Sequence, residues 1–445
     1  MDKTFRPWDP DQSVLFPPSV LDLMPEGHVA HMVRDLVRHE LDLSAILSTY
    51  GEVRGGPPYH PAMMLALLLY GYTQGVRSSR RMARACEERV DFMAVTGMQK
   101  PDHDTINEFR RRHLCAIEGL FVQVLHLCQK ADIVDLGHVA LDGSKVHANA
   151  SKHKAMSYGR MQKTEKELHE DVRRYFQETE ATDRAEDEKY GKGRRGDELP
   201  EWVKNKAERL KKIREARAAL EAEAKQKADA EKAKLAERDP DTPGPAPKPP
   251  SSTPDDKAQR NFTDPDSRIM KTKNGFEQCY NGHAAVDSKA QVIVACDLTN
   301  TQNDGNTLEP MINQAEANCG TKLTELSADA GYGSEANIAM LEHRDIRGYV
   351  ATGRQHHGQA SATESERVKR GPFTQGMRER LRRGGHRSRY RLRKQTVEPV
   401  FGQMKECRGF RQFLLRGLVK VKAEWKLACV AHNVLKLQKA RVACG

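Results

Sequence analysis

Apolar residues recur at helical spacing over 29–47 and again over 61–72, which predicts a mostly helical region spanning residues 1–130. Pro61 suits the first turn of its helix. Ser78 or Ser79 is placed to cap a helix over 80–88, and Asp104 or Thr105 a further helix carrying Glu108, Arg110, Arg111 and Arg112. Short helices with arginines at their ends suit helix-turn-helix binding of DNA; a helical bundle with a basic surface has the same pattern, and the recognition helix is not distinguished. Beyond Asp132 the period changes. Val139-Ala140-Leu141 is a short apolar run closed by Asp142-Gly143-Ser144, the pattern of a buried strand with an acid at its end. Residues 155–237 are dense in Glu, Lys, Arg and Ala and are broken by the turn-rich 190–196, which predicts a helical hairpin. Its partial heptad of Val203, Leu210, Ile213 and Leu220 is interrupted by Lys206 and Arg217. The proline-rich 239–254 reads as an extended linker, so 155–260 forms a charged insertion. Period-2 alternation returns over 278–287 and 291–298 around a Ser288-Lys289 turn, predicting a hairpin of two strands. A helix over 307–317, a strand over 323–328 ending at Asp329, a helix over 334–343 and a strand over 348–351 follow. Mixed strands and crossover helices imply an α/β layer fold for 131–445, closed by an amphipathic helix over 424–440 with Trp425, Leu427, Val430, Val434 and Leu437.

Composition narrows the partners. The 445 residues carry a formal charge of +11 with pI near 9.1, only 38% hydrophobic content and a mean hydropathy of −0.74. No run approaches the roughly 18–20 apolar residues of a membrane span, and the first residues lead into no signal-peptide core, so the expected location is the cytoplasm, on the nucleoid when bound. Nine cysteines form no Cys-x-x-Cys pair or finger spacing and read as reduced, mostly buried thiols. Positive charge clusters over 367–394, where Arg367, Lys369, Arg370, Arg378, Arg387, Arg393 and other cations face one acid, Glu379. Such a stretch repels itself unless phosphates neutralise it.

Three acids give that polyanion a chemistry. Asp142 and Asp329 follow strands, and Glu398 sits seven residues before Lys405, with Arg391 and Lys394 falling on the same helical ladder. One α/β sheet edge can gather all three. Neighbouring carboxylates repel by about 4 kcal/mol at about 4 Å and an effective dielectric of about 20, so they require a counter-charge. Two Mg²⁺ ions, with Mn²⁺ as a substitute, suit hard oxygen ligands and support in-line phosphodiester displacement. Asp287, Asp297 and Asp304 read instead as hairpin and loop residues, with Asp304 also a neighbour of the site. His147, His283 and the His356-His357 pair lack a metal-ligand spacing and read as surface or supporting residues.

Val139-Ala140-Leu141-Asp142-Gly143-Ser144-Lys145, Ser327-Ala328-Asp329-Ala330-Gly331-Tyr332 and Val397-Glu398-Pro399-Val400-Phe401-Gly402-Gln403-Met404-Lys405 resemble the three catalytic blocks of bacterial insertion-sequence DDE transposases. Tyr59-His60-Pro61, Tyr70-Gly71-Tyr72 and Pro101-Asp102-His103-Asp104-Thr105-Ile106 resemble their N-terminal helical domain. The resemblance implies an all-α DNA-binding domain over 1–130 and a ribonuclease-H-like mixed sheet flanked by helices over 131–445. It implies Asp142, Asp329 and Glu398 as catalytic metal ligands, and Arg391, Lys394, Lys405, Arg110, Arg111 and Arg112 as DNA contacts. Its partners are double-stranded DNA at terminal inverted repeats and at a target, handled by a homodimer. Many relatives carry Tyr-x2-Arg-x3-Glu-x6-Lys; here the tyrosine and arginine positions hold Arg391 and Lys394, with Tyr390 one residue early. Pro399 implies either that the Glu398 helix starts near Thr396 or that it is kinked. A relative that only binds DNA, and a nuclease without a joining step, are the alternatives.

Overall fold

Among the described residues, seven α-helices lead the chain: α1 (Val29–Asp35), α2 (Ser44–Leu47), α3 (Pro61–Thr73), α4 (Ser79–Glu88), α5 (Val90–Thr96), α6 (His103–Arg112) and α7 (Leu114–Lys130). The structure, a computed structural model, describes residues 19–51, 58–190, 201–236, 250–273, 275–353, 363 and 371–444. The turn over 191–196, the linker over 239–249, His356-His357, and Arg367, Lys369 and Arg370 of the basic run lie outside the described residues. Helix α3 begins with Pro61 at its first turn, and Leu65, Leu67, Leu68, Leu69 and Tyr70 are fully buried, so it forms the middle of the helical layer. The cap of α6 is Asp102, whose carboxylate accepts from the amides of Asp104 and Thr105 at 2.8 Å each, ahead of the two capping positions that the pattern suggests. Ser78 precedes α4 without a side-chain cap bond.

Eight strands follow among the described residues: β1 (Val139–His147), β2 (Ala155–Ser157), β3 (Gln259–Asn261), β4 (Arg268–Thr272), β5 (Gly275–Asp287), β6 (Ile293–Thr299), β7 (Glu325–Ala328) and β8 (Arg347–Val350). The main sheet runs β4-β5-β1-β7-β8, with β6 on the same edge of β5 as β4. Strand β1 is antiparallel to β5 and parallel to β7, and β7 is parallel to β8, so this is a mixed, ribonuclease-H-like α/β sheet. Two features differ from expectation. Strand β1 runs past Asp142 to His147 because β5 continues to pair with it there, and β4 precedes the expected hairpin at a sheet edge with only Met270 fully buried.

The insertion is the expected hairpin, α8 (Tyr158–Tyr190) against α9 (Glu201–Ala236), with a small core of Met161, Leu168, Ile213 and Leu220. The residues that break the heptad are paired across it: Lys206 with Asp171 at 2.7 Å, and Arg217 with Glu165 at 2.5 Å. After α10 (Leu308–Cys319), α11 (Glu335–His343), α12 (Pro372–Gly384) and α13 (Leu392–Gly402), the closing helix α14 spans Leu418–Cys444. It starts earlier than expected and packs on α3, α7 and β6 together. Residues of the N-terminal helices, the sheet and α14 thus share one apolar core. Its polar seam is the buried Glu424, which accepts from the amides of Leu414 and Leu415 and faces Arg77 at 3.5 Å. Cys86, Cys128, Cys279, Cys296, Cys319 and Cys429 are buried free thiols, and Cys407 is exposed. No helix among the described residues is long and apolar enough to cross a membrane.

Candidate active site

Parallel pairing of β1 with β7 stops at Leu141 opposite Ala328, so Asp142 and Asp329 are the next residues on two adjacent strands. On its other side Asp142 stays in register with Ala284 of β5, which leaves the acid at the lip of a gap between two strands. Each carboxylate accepts a nearby backbone N–H: Asp142 from Gly143 and Asp329 from Gly331, both at 2.9 Å. Helix α13 packs across β1 and supplies Glu398.

A side chain that the sequence reading counts only among the cations of the basic run joins them. The Arg393 guanidinium donates to Asp142 at 2.6 Å and to Glu398 at 3.0 Å, with its own side chain only 14% exposed. Burial outweighs this partner for Asp142, whose carboxyl is pushed up to about 6, with Asp329 and Glu398 adding to the rise. For Arg393 the acids outweigh burial and hold the charge more firmly. The aromatic ring of buried Tyr390 lies 6.0 Å from the Arg393 guanidinium carbon. Tyr390 and Arg393 keep a two-residue gap but stand one residue further from Glu398 than in the expected signature. The extra residue lies between Arg393 and Glu398, inside α13. Counting back from Glu398 alone therefore selects Arg391 and Lys394, which are both exposed. Lys405 turns inward and donates to the carbonyl of Lys145 on β1 at 2.8 Å.

The helix starts at Leu392 and not near Thr396: α13 runs through Pro399 and passes into a π-helical turn over Gln403–Cys407. The missing proline N–H would have bonded the Gln395 carbonyl, and that carbonyl instead accepts from the side-chain amide of Gln291 at 2.8 Å.

A fourth acid borders the site. Asp304 accepts from Asn281 at 2.5 Å, and burial raises its carboxyl pKa. A Cβ at Gly331 would lie 2.8 Å from Asp304 and 3.1 Å from Asp329, and one at Gly143 would lie 3.1 Å from Asp304, Asn281 and His283. Glycine at both positions lets this acid approach. His283 is fully buried between Tyr332 and Thr299 at 3.0 and 3.1 Å, and burial holds it neutral with a pKa of about 4. Asp287 holds the hairpin turn through the amides of Leu136 and Lys289, and Asp297 pairs with Lys422.

The all-carboxylate donor set and the short counter-charge around Asp142 fit a hard divalent cation. The three expected ligands do not all lie within 4.8 Å of one another, since Arg393 stands between two of them. On the helical domain, Arg110 is 5% exposed and donates to Asn107 and to the carbonyl of Arg77, so it is not presented to a ligand. Arg111 is exposed in a pair with Glu108, and Arg112 donates to the Thr49 carbonyl beside the Tyr50 ring.

Two family models match this chain: a Transposase domain (DUF772) over residues 18–112 and a Transposase DDE domain over residues 245–434. The second spans Asp329 and Glu398 and begins after Asp142. Comparison with curated proteins and with solved structures finds nothing that matches.

Proposed function

The chain belongs to the DDE transposases of insertion sequences, and on that premise we propose that it cleaves and rejoins DNA phosphodiesters at the ends of its element with Asp142, Asp329 and Glu398 as the catalytic acids. The observation that carries this reading is the departure of Asp142 and Asp329 from adjacent parallel strands, in step, with Glu398 tied to Asp142 through one guanidinium.

Transposases of this family use divalent metal ions. Asp142, Asp329 and Glu398 would hold Mg²⁺, or Mn²⁺ in its place, and when bound such ions activate an attacking oxygen and neutralise a leaving one. The protein's own groups do the rest. The strand ends fix two carboxylates, and α13 presents the third from across β1. Arg393 holds the acids in place without DNA and is positioned, beside Tyr390, to meet a phosphate once the acids have other partners. Lys405, in the π-helical turn that follows α13, fixes that end of the helix to β1 through the Lys145 carbonyl. Arg111 and Arg112 remain as DNA contacts on the helical domain, Arg391 and Lys394 on the exposed side of α13, and two ends handled together require a dimer.

Duplex DNA ending in the inverted repeats that flank the gene tests this. Incubation with Mg²⁺ yields nicks at the repeat ends and joining of the freed 3′-hydroxyl to a second duplex, and EDTA abolishes both. Nicking without joining identifies a nuclease, and tight repeat binding without any cut identifies a DNA-binding protein only.

A further inference from the structure

Three carboxylates of the insertion hairpin are committed to particular cations. Glu165 holds Arg214 and Arg217, Asp171 holds Lys206, and Glu223 ties the hairpin to Arg260 of β3 and Arg268 of β4. At its foot lies a cleft of about 690 Å³ between α9 and the segment from His153 through Arg160. Lys154, Arg160, Arg209 and Lys212 line it, all exposed, with Glu208 as the single lining acid. None of the four cations has a side-chain hydrogen bond or ion pair among the described residues. A groove at the other end of the sheet differs. There Arg344, Arg380 and Arg389 are each held by a carboxylate, at 2.6, 2.7 and 2.7 Å.

Four like charges gathered around one concavity repel each other, and the paired carboxylates of the hairpin lie elsewhere. A ligand bearing repeated negative charge relieves that repulsion. Position narrows its identity. Strand β1 carries the chain about 16 Å from Asp142 to His147, at about 3.3 Å per residue, and the first residue of the cleft, His153, follows further along the chain. That is about five base-pair steps of a duplex at about 3.4 Å each. The ion pair of Glu223 with Arg268 of β4 ties the hairpin to the sheet that carries the acids, and its pair with Arg260 ties it to the small β2–β3 sheet, so the spacing is set by packed elements.

We propose that this cleft is a second DNA-binding site, in which Lys154, Arg160, Arg209 and Lys212 take the phosphate backbone of the duplex several base pairs from the bond being cut. The inference rests on the transposase reading and assigns the charged insertion to DNA contact. The test is duplex binding by the full chain across a salt series, comparing wild type with Lys154→Gln, Arg160→Gln, Arg209→Gln and Lys212→Gln combined. Each phosphate contact contributes about 0.9 to the slope of log affinity against log salt. The combined variant is expected to lose about 2–4 from that slope and at least about tenfold in affinity at low salt, with an unchanged melting temperature. Lys322→Gln with Arg347→Gln, in the opposite groove, is expected to leave both quantities near wild type. Wild-type binding with an unchanged slope in the combined variant overturns the cleft assignment alone. A wild-type protein that binds no duplex overturns the transposase reading and the cleft with it.

Discussion

Arg393 offsets the charge of two carboxylates that would otherwise repel, Asp142 on β1 and Glu398 on α13, and this role is measurable without DNA. Arg393→Gln is expected to destabilise the metal-free protein by about 2–4 kcal/mol, since it leaves buried Asp142 without its partner. Added Mg²⁺ should then raise the melting temperature of the variant by more than that of wild type, because the ion no longer competes with a guanidinium. Equal melting temperatures in EDTA would remove the compensating role. His432 supplies a second residue-scale test. Arg408 can only donate to its Nδ1 at 3.0 Å, so Nε2 carries the proton given to the Gln291 carbonyl, and burial lowers the pKa to about 3. The folded value lies below the unfolded one, so this stability is present above about pH 6.5 and is lost as pH falls toward 3. Asp142, raised to about 6, acts in the opposite sense between roughly pH 4 and 6. The stability difference between wild type and His432→Asn should therefore shrink by about 2 kcal/mol from pH 7 to pH 5, and a constant difference would contradict it. The three acids were singled out in the sequence because strand ends and a motif mark them. Arg393 was not: it touches Asp142, 251 residues away in sequence, and one additional residue displaces it from the expected signature.

Helix α13 shows how an element overrides a local rule. Pro399 disfavours helix at its own position, yet packing of Val397, Val400 and Phe401 on the core holds the helix through it. Gln291, at φ 60° in the β5–β6 turn, supplies the donor that proline lacks. Gln291→Ala is expected to cost about 1 kcal/mol by denaturant unfolding. In a Pro399→Ala background the same change should cost little, because the backbone N–H restored at that position serves the Gln395 carbonyl; equal costs in both backgrounds would show that the two residues are independent. The sequence left a start near Thr396 or a kink as the alternatives, and neither pointed to this donor, because Gln291 and Gln395 are 104 positions apart. Strand β1 has the same lesson. Its apolar run ends at Leu141, whereas its length is set by pairing with β5, which the local pattern does not encode. The helical hairpin was legible as two helices, since its periodicity and charge pattern are local.

At the scale of the molecule, the helical layer and the catalytic sheet are held by the same helix, α14, and by one core. The N-terminal helices were readable as helices but their sharing of a core with the sheet was not, because apolar periodicity marks a buried face without naming its partner. Burial of Arg110 follows from that packing: it lies near Glu424 of α14, so the helical domain keeps part of its positive charge inside. The sheet carries Asp142 and Asp329 at adjacent strand ends, and α13, packed on β1, carries Glu398. The measurement that tests this most directly is cleavage of repeat-ended DNA with Mg²⁺ by Asp142→Asn, Asp329→Asn and Glu398→Gln, each assayed beside its DNA affinity. The account predicts that each variant loses about a hundred- to a thousandfold in rate while binding the repeat as wild type does, a loss typical of removing a group that stabilises transition-state charge. Cleavage within about tenfold of wild type by any one of them would contradict it.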